Sequence, residues 1–232
     1  MTAEAGAGRD GGPAPRPAAV IFDNDGTFLA TEAVWSRAEE TLFARRNVAF
    51  LPEHKRRLLG SSFDLAAQYL EEFLDRPGGG AALMAELIEL VYAELDGEVP
   101  AMPGAVELVT ALKADGIPVA MATNAARGFA EKALLRSGNA GIFPVLKTVE
   151  DVAAAKPAPD LYLAAAADLG VDPAACWAVE DSPTGVAAAL AAGMTVVGVA
   201  THPGIVLHEA HHVHPSLADP AVWALLGLPA PR

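Results

Sequence analysis

One cysteine, Cys176, stands in 232 residues. It has no partner for an internal disulfide and cannot build a thiolate zinc site, so the chain suits a reducing compartment and requires no oxidising one. Basic residues are also scarce: 16 Lys and Arg against 29 Asp and Glu give a formal net charge of -13. That excess opposes nucleic acids and anionic membranes as partners, because both are polyanions, and makes any phosphorylated ligand depend on local positive charge. Long apolar runs are missing too. The longest nearly apolar stretch, Gly185 to Ala200, is too short to span a bilayer and is interrupted by Gly193 and Gly198. Residues 1–17, rich in Gly, Ala and Pro, hold no apolar h-region and read as a disordered leader, neither signal peptide nor anchor. The expectation is a cytoplasmic protein, a monomer or weak homodimer, with no internal repeat.

What is present centres on residues 18–27, Ala-Ala-Val-Ile-Phe-Asp-Asn-Asp-Gly-Thr. The uncharged run from Ala18 to Phe22 predicts a buried parallel strand that stops at two carboxylates, Asp23 and Asp25. Alternate residues of an extended chain point to one side, so both carboxylates face the crevice beyond the strand's carboxyl end. Like charges that close call for a divalent cation, although a solvated Asp-Asn-Asp-Gly turn has the same composition.

Four helical patterns follow with no strand between them. Val34, Trp35, Ala38, Leu42 and Phe43 mark the first, Pro52 to Leu59 the second, Phe63 to Leu74 the third and Met84 to Leu95 the fourth. From Pro103 the rhythm becomes helix and strand in alternation. Strands are predicted over Ile117–Thr123, near Val145–Val149, and over Cys176–Val179 and Thr195–Val199, with helices between them. The expected fold is α/β: a doubly wound parallel sheet, residues 18–29 and 99–232, with a four-helix insert, residues 30–98, after the first strand.

Later segments deliver polar groups to the rim where the Asp pair lies. Thr123-Asn124 ends the second strand, Lys156 sits in Ala-Lys-Pro-Ala-Pro-Asp, and Glu180-Asp181 ends the Cys176 strand. Singly, these read as a strand-end hydroxyl, a solvated lysine and a helix N-terminal acid pair. Jointly they converge where open α/β sheets bind ligands.

The motifs Phe22-Asp23-Asn24-Asp25-Gly26-Thr27, Thr123-Asn124, Lys156-Pro157-Ala158-Pro159-Asp160 and Glu180-Asp181-Ser182-Pro183-Thr184-Gly185, in that order, resemble the haloacid dehalogenase superfamily. The resemblance is to the branch holding phosphoglycolate phosphatase-like enzymes and β-phosphoglucomutase, and it runs from Ala18 to Val199. It implies an Mg²⁺-dependent phosphatase acting on a small phosphorylated metabolite, a sugar phosphate or a phosphoglycolate-like ester, through an aspartyl phosphate, with Asp23 as nucleophile and Asp25 as general acid and base. It further implies Mg²⁺ on the Asp23 carboxylate, the Asp25 carbonyl and Glu180-Asp181, and a phosphoryl site built from Thr123, Asn124 and Lys156, with backbone N–H groups of Gly26 and Thr27. The helical insert would then be a cap closing over the site, with Glu32, Arg57, Ser61 and Ser62 as the cap residues within reach of a small phosphorylated metabolite.

Asp25 separates this chain from the dehalogenases and phosphonate-cleaving relatives it resembles. Lys55 lies five residues before Gly60, away from the phosphonatase lysine position, and is expected as an exposed helix residue. A mutase reading is the alternative. Leu59-Gly60-Ser61-Ser62-Phe63 lacks both charged residues that the mutase uses at its cap loop. A non-catalytic phosphate-binding module is the second alternative. His208, His211, His212 and His214 are expected in a polar loop and short edge strand.

Overall fold

The computed structural model describes residues 16–58, 61, 63–201 and 204–230. The leader expected at residues 1–17 falls almost entirely outside the described residues.

Strand β1, Ala19–Phe22, is buried along its whole length. Its side chains alternate between two apolar clusters: Val20 and Phe22 enter one, Ala19 and Ile21 the other. Helices α1 (Glu32–Ala44), α2 (Pro52–Leu58), α3 (Phe63–Phe73) and α4 (Gly80–Glu94) follow it, as their spacing predicts. The chain then alternates through α5 (Ala105–Ala114), β2 (Val119–Ala122), α6 (Arg127–Arg136), β3 (Val145–Lys147), α7 (Asp160–Leu169), β4 (Cys176–Glu180), α8 (Pro183–Ala191) and β5 (Thr195–Val199). Strand β6, His212–His214, and helix α9, Pro220–Leu225, close it.

The six strands form one parallel sheet in the order β3-β2-β1-β4-β5-β6. From β1 the chain builds outward to β3, then returns to place β4 on the other side of β1. The carboxyl ends of β1 and β4 therefore meet at the topological switch point, where a crevice opens. One face of the sheet is lined by alanines, among them Ala19, Ala120, Ala122 and Ala178, against Ala165, Ala166, Ala188 and Ala189 of α7 and α8. Small side chains on both sides let these helices lie close to the sheet. On the other face, Phe22 and Phe28 pack on Phe143 with ring centroids 5.8 and 4.8 Å apart.

Two details differ from the sequence reading. The strand expected near Val145–Val149 ends at Lys147, because Thr148 and Asp151 form a reciprocal capping box that turns the chain into a 3-10 helix, Val149–Asp151. Helix α9 was not anticipated, although Asp219 before Pro220 is a start signal: its carboxylate accepts the Ala221 N–H at 2.9 Å. His212 and His214 lie on the edge strand, His211 just before it and His208 in the preceding turn. His211 Nδ1 accepts the Val196 N–H at 3.0 Å, His214 Nδ1 is 3.2 Å from Asp219 Oδ2, and His212 stacks on Trp177.

Candidate active site

The Asp23 N–H donates to the Val179 carbonyl at 3.0 Å, extending the β1–β4 ladder one step beyond the strand. Asp23 is thereby set between the two strand ends. Next, a tight turn folds back: Phe28 and Leu29 both donate to the Asn24 carbonyl, and Gly26 donates to the Leu29 carbonyl at 2.9 Å. Gly26 has φ +80°, a conformation its missing Cβ permits. Its N–H, one of the groups expected in a phosphate cradle, is bonded to the Leu29 carbonyl. Thr27, fully buried, instead donates its hydroxyl to Asp181 Oδ1 at 3.3 Å, while Thr201 donates to Asp181 Oδ2 at 3.1 Å.

Lys156 ties three segments together. Its Nζ donates to Asp23 Oδ1 at 2.6 Å, Glu180 Oε1 at 2.7 Å and the Ala122 carbonyl at 2.8 Å. Asn124 clamps its backbone: the Lys156 N–H donates to Asn124 Oδ1 at 2.9 Å, and Asn124 Nδ2 donates to the Lys156 carbonyl at 3.2 Å. The Lys156–Pro157 peptide is cis. Glu180 is held from all sides: Tyr162 donates to Oε1 at 2.8 Å, and Ser182 donates its hydroxyl to Oε2 at 3.0 Å. The same Ser182 oxygen accepts the Gly185 N–H and caps α8. A Cβ at Gly185 would collide with the Glu180 carboxylate, so α8 needs glycine there.

Asp25 accepts a hydrogen bond from Thr31 at 2.6 Å on one oxygen and from Thr123 at 3.3 Å on the other. Thr31 occupies the N-cap of α1 but makes no side-chain cap, because its hydroxyl serves Asp25.

Burial dominates the electrostatics. It pushes Asp25 above the ordinary carboxylate range, against the pull of the hydroxyl donors. Burial raises Asp23 as well; Lys156 opposes this, while Glu180, Asp181 and Asp25 add to it. Asp181 is raised to about 7, first by burial and then by Glu180. For Lys156 burial works against the ammonium, yet Asp23 and Glu180 outweigh it and leave its pKa raised, so it stays charged.

Oxygens of Asp23, Glu180 and Asp181 all lie within 4.8 Å of one another. Three buried carboxylates around one ammonium leave surplus negative charge, and an all-oxygen donor set suits a hard divalent cation such as Mg²⁺. The residues fit that ion. Among the described residues this is the one group with metal-ligand spacing.

A cavity of about 530 Å³ opens beside this centre. Asp23, Asp25, Gly26, Thr123, Asn124 and Lys156 line its floor, and Glu32 and Ser61 its helical side, as expected. Ser62 lies outside the described residues. Arg57 is a correction: it turns away to Glu72, at 2.7 Å, and lies over the rings of Tyr69 and Phe73, so it does not reach the cavity. Lys55 is another. Rather than being exposed, it enters the cavity and pairs with Glu32 at 2.5 Å and Glu39 at 2.6 Å. Thr31, Tyr162, Ser182, Thr201 and Glu39 escaped the sequence reading. Two of them carried a local signal, that of a helix start: Thr31 before Glu32, and Ser182, which stands before Pro183 inside one of the motifs.

Residues 17–193 match the haloacid dehalogenase-like hydrolase family. Protein CbbY of Rhodobacter capsulatus is 38% identical over 191 residues, covering 77% of this chain and 83% of that protein. Hexitol phosphatase B of Escherichia coli strain K12 is 34% identical over 192 residues, covering 78% and 82%. The crystal structure of a HAD family hydrolase from Deinococcus radiodurans R1 with bound phosphate and sodium is similar at a TM-score of 0.78 and 33% identity, covering 94% of this chain and 100% of that one. With its motifs in the family's order on the family's sheet, the chain belongs to the haloacid dehalogenase-like hydrolases.

Proposed function

We propose that the protein is an Mg²⁺-dependent phosphatase that hydrolyses a small phosphorylated metabolite through an aspartyl phosphate on Asp23. The observation that carries this reading is the meeting of Asp23, Glu180 and Asp181 within 4.8 Å, with Lys156 bridging the first two. Relatives named as phosphatases, such as the hexitol phosphatase, support it.

An Asp23 carboxylate oxygen attacks phosphorus as the bond from phosphorus to the leaving oxygen breaks, and Asp25 gives that oxygen a proton. Burial raises the pKa of Asp25 and so favours its protonated form, the form that donates here. In the second half Asp25, now ionised, takes a proton from water. The water oxygen bonds to phosphorus, the Asp23–phosphorus bond breaks, and inorganic phosphate leaves. Thr31 and Thr123 fix the Asp25 carboxyl for both transfers. Lys156, Thr123 and Asn124, which line the cavity beside Asp23, receive the phosphoryl oxygens in this reading. Asp23, Glu180, Asp181 and the Asp25 carbonyl would hold Mg²⁺, whose charge supplies the screening that lets an anionic nucleophile approach an anionic ester.

Residues 30–98 act in this reading as a cap. Glu32, Trp35, Lys55 and Ser61 reach the same cavity as Asp23, which supports closure over a small substrate and exclusion of bulk water. A cytoplasmic setting agrees with this activity, and among the described residues no helix is long and apolar enough to cross a membrane.

The test is phosphate release from an aryl phosphate. Activity that needs Mg²⁺, is removed by EDTA and falls by about a thousandfold or more in Asp23→Asn supports the proposal. No release from a broad panel of phosphate esters refutes it. A product that is an isomeric sugar phosphate, formed only with a bisphosphate activator, selects the mutase alternative.

A further inference from the structure

The helical side of the cavity has a composition that the proposed chemistry does not use. Lys55 Nζ lies 2.5 Å from Glu32 Oε1 and 2.6 Å from Glu39 Oε2. Glu39 is almost wholly buried, at 4% exposure, although it sits on an amphipathic helix among other acids. Trp35 and Phe63 also face the cavity. Among the described residues two cations line this space, Lys55 and Lys156, and each is already shared between two carboxylates. Lys156 belongs to the phosphoryl end. The far end therefore carries two carboxylates and one ammonium, with no positive charge to spare for a second anion.

Such a wall can still bind polar groups. Carboxylate oxygens accept from hydroxyls, the ammonium donates to them, and aromatic faces pack on carbon-bound hydrogens. A distal carboxylate or phosphate would lie against Glu32 and Glu39, where like charges repel. We propose that the Glu32–Lys55–Glu39 cluster selects phosphomonoesters whose distal part is neutral and hydroxyl-rich, and rejects those carrying a second anionic group. This rests on the phosphatase reading and narrows it: sugar or polyol monophosphates are substrates, whereas phosphoglycolate and sugar bisphosphates are not. It also bears on the mutase alternative, because Lys55 restores a charge to the cap but one neutralised by its neighbours.

The experiment compares kcat/KM, by phosphate release with Mg²⁺, for glucitol 6-phosphate, glucose 6-phosphate, glucosamine 6-phosphate, phosphoglycolate and fructose 1,6-bisphosphate, with an aryl phosphate as reference. The neutral pair is expected to exceed phosphoglycolate and the bisphosphate by about tenfold or more. Equal or greater activity on either anionic substrate overturns the proposal, and so does a tenfold preference for the amino sugar, which would make the wall a cation site. Glu39→Gln and Lys55→Gln then supply a readout that a merely structural role does not move. Removing a carboxylate should shift the neutral-to-anionic ratio toward the anions by about tenfold; removing the ammonium should shift it the other way. Ratios unchanged in both variants overturn the assignment, even if both lose activity. If the aryl phosphate is cleaved without the expected preference, the specificity inference fails and the phosphatase reading stands. If no ester is cleaved, both fall.

Discussion

Thr31 shows how one hydroxyl can be read two ways. From the sequence it opens a helix, since Thr before Glu is a capping signal. In the fold it gives up the cap and donates to Asp25 at 2.6 Å. A donor to a carboxylate favours the charged form, so losing it raises the acid's pKa. Thr31→Val should therefore move the limb of the pH–rate profile due to Asp25 to higher pH and lower kcat/KM by about tenfold, as seen in steady-state assays across pH. An unmoved limb would mean that the hydroxyl does not serve the reacting acid. Cys176 tests burial at the same scale. Its thiol is pushed up to about 11, chiefly by burial. At pH 8 a thiol reagent should react with the native protein at least about a hundredfold more slowly than with the unfolded chain. Because the folded pKa is raised, the protonated thiol stabilises the fold at ordinary pH, and that contribution fades as pH climbs through about 11. Lys55 was illegible for a related reason. Its partners Glu32 and Glu39 lie on α1 while it lies on α2, and only the packing of those helices brings the three together.

Among the elements, the strands were the most legible. Short uncharged runs mark the core strands, two of them stopping at carboxylates, and β1, β4 and β5 lie where those runs predict. β3 was harder because its residues are only partly buried at the sheet edge and a capping box cuts it short. Connections between distant elements left no trace in the sequence. Gly104, at the N-terminus of α5 with φ +81°, is one: a Cβ there would run into the backbone of Leu217 and Ala218. Gly104→Ala should lower unfolding free energy by about 2–3 kcal/mol in urea titration, since it meets both a disfavoured φ and a backbone contact. A change below about 0.5 kcal/mol would show that the tail segment is free to move aside.

For the whole molecule, charge and topology act together. A chain of net charge -13 gathers four carboxylates, Asp23, Asp25, Glu180 and Asp181, at one switch point; burial raises Asp23, Asp25 and Asp181, and Lys156, Tyr162 and Ser182 hold Glu180 by hydrogen bonds. Mg²⁺ at a hundred times its Kd should stabilise the native state by about 2.7 kcal/mol and raise Tm accordingly. Sodium chloride at matched ionic strength should reproduce little of that rise, and Asp181→Ala should lack it in differential scanning fluorimetry. An equal rise in both salts would reduce the effect to general screening. The order of the core was readable because each strand-end motif announces itself locally. The far wall of the cavity was not, because its chemistry depends on helices whose mutual placement no periodicity encodes.

The three hydrogens of the Lys156 ammonium are spoken for, by Asp23, Glu180 and the Ala122 carbonyl. In the proposed reaction an arriving phosphoryl oxygen would claim one only by barter, and Asp23 would be the holder with reason to let go, because its bond to phosphorus would strip its oxygen of charge. The lysine would thus pass from nucleophile to cargo in the same stroke that joins them, and return when water frees the aspartate.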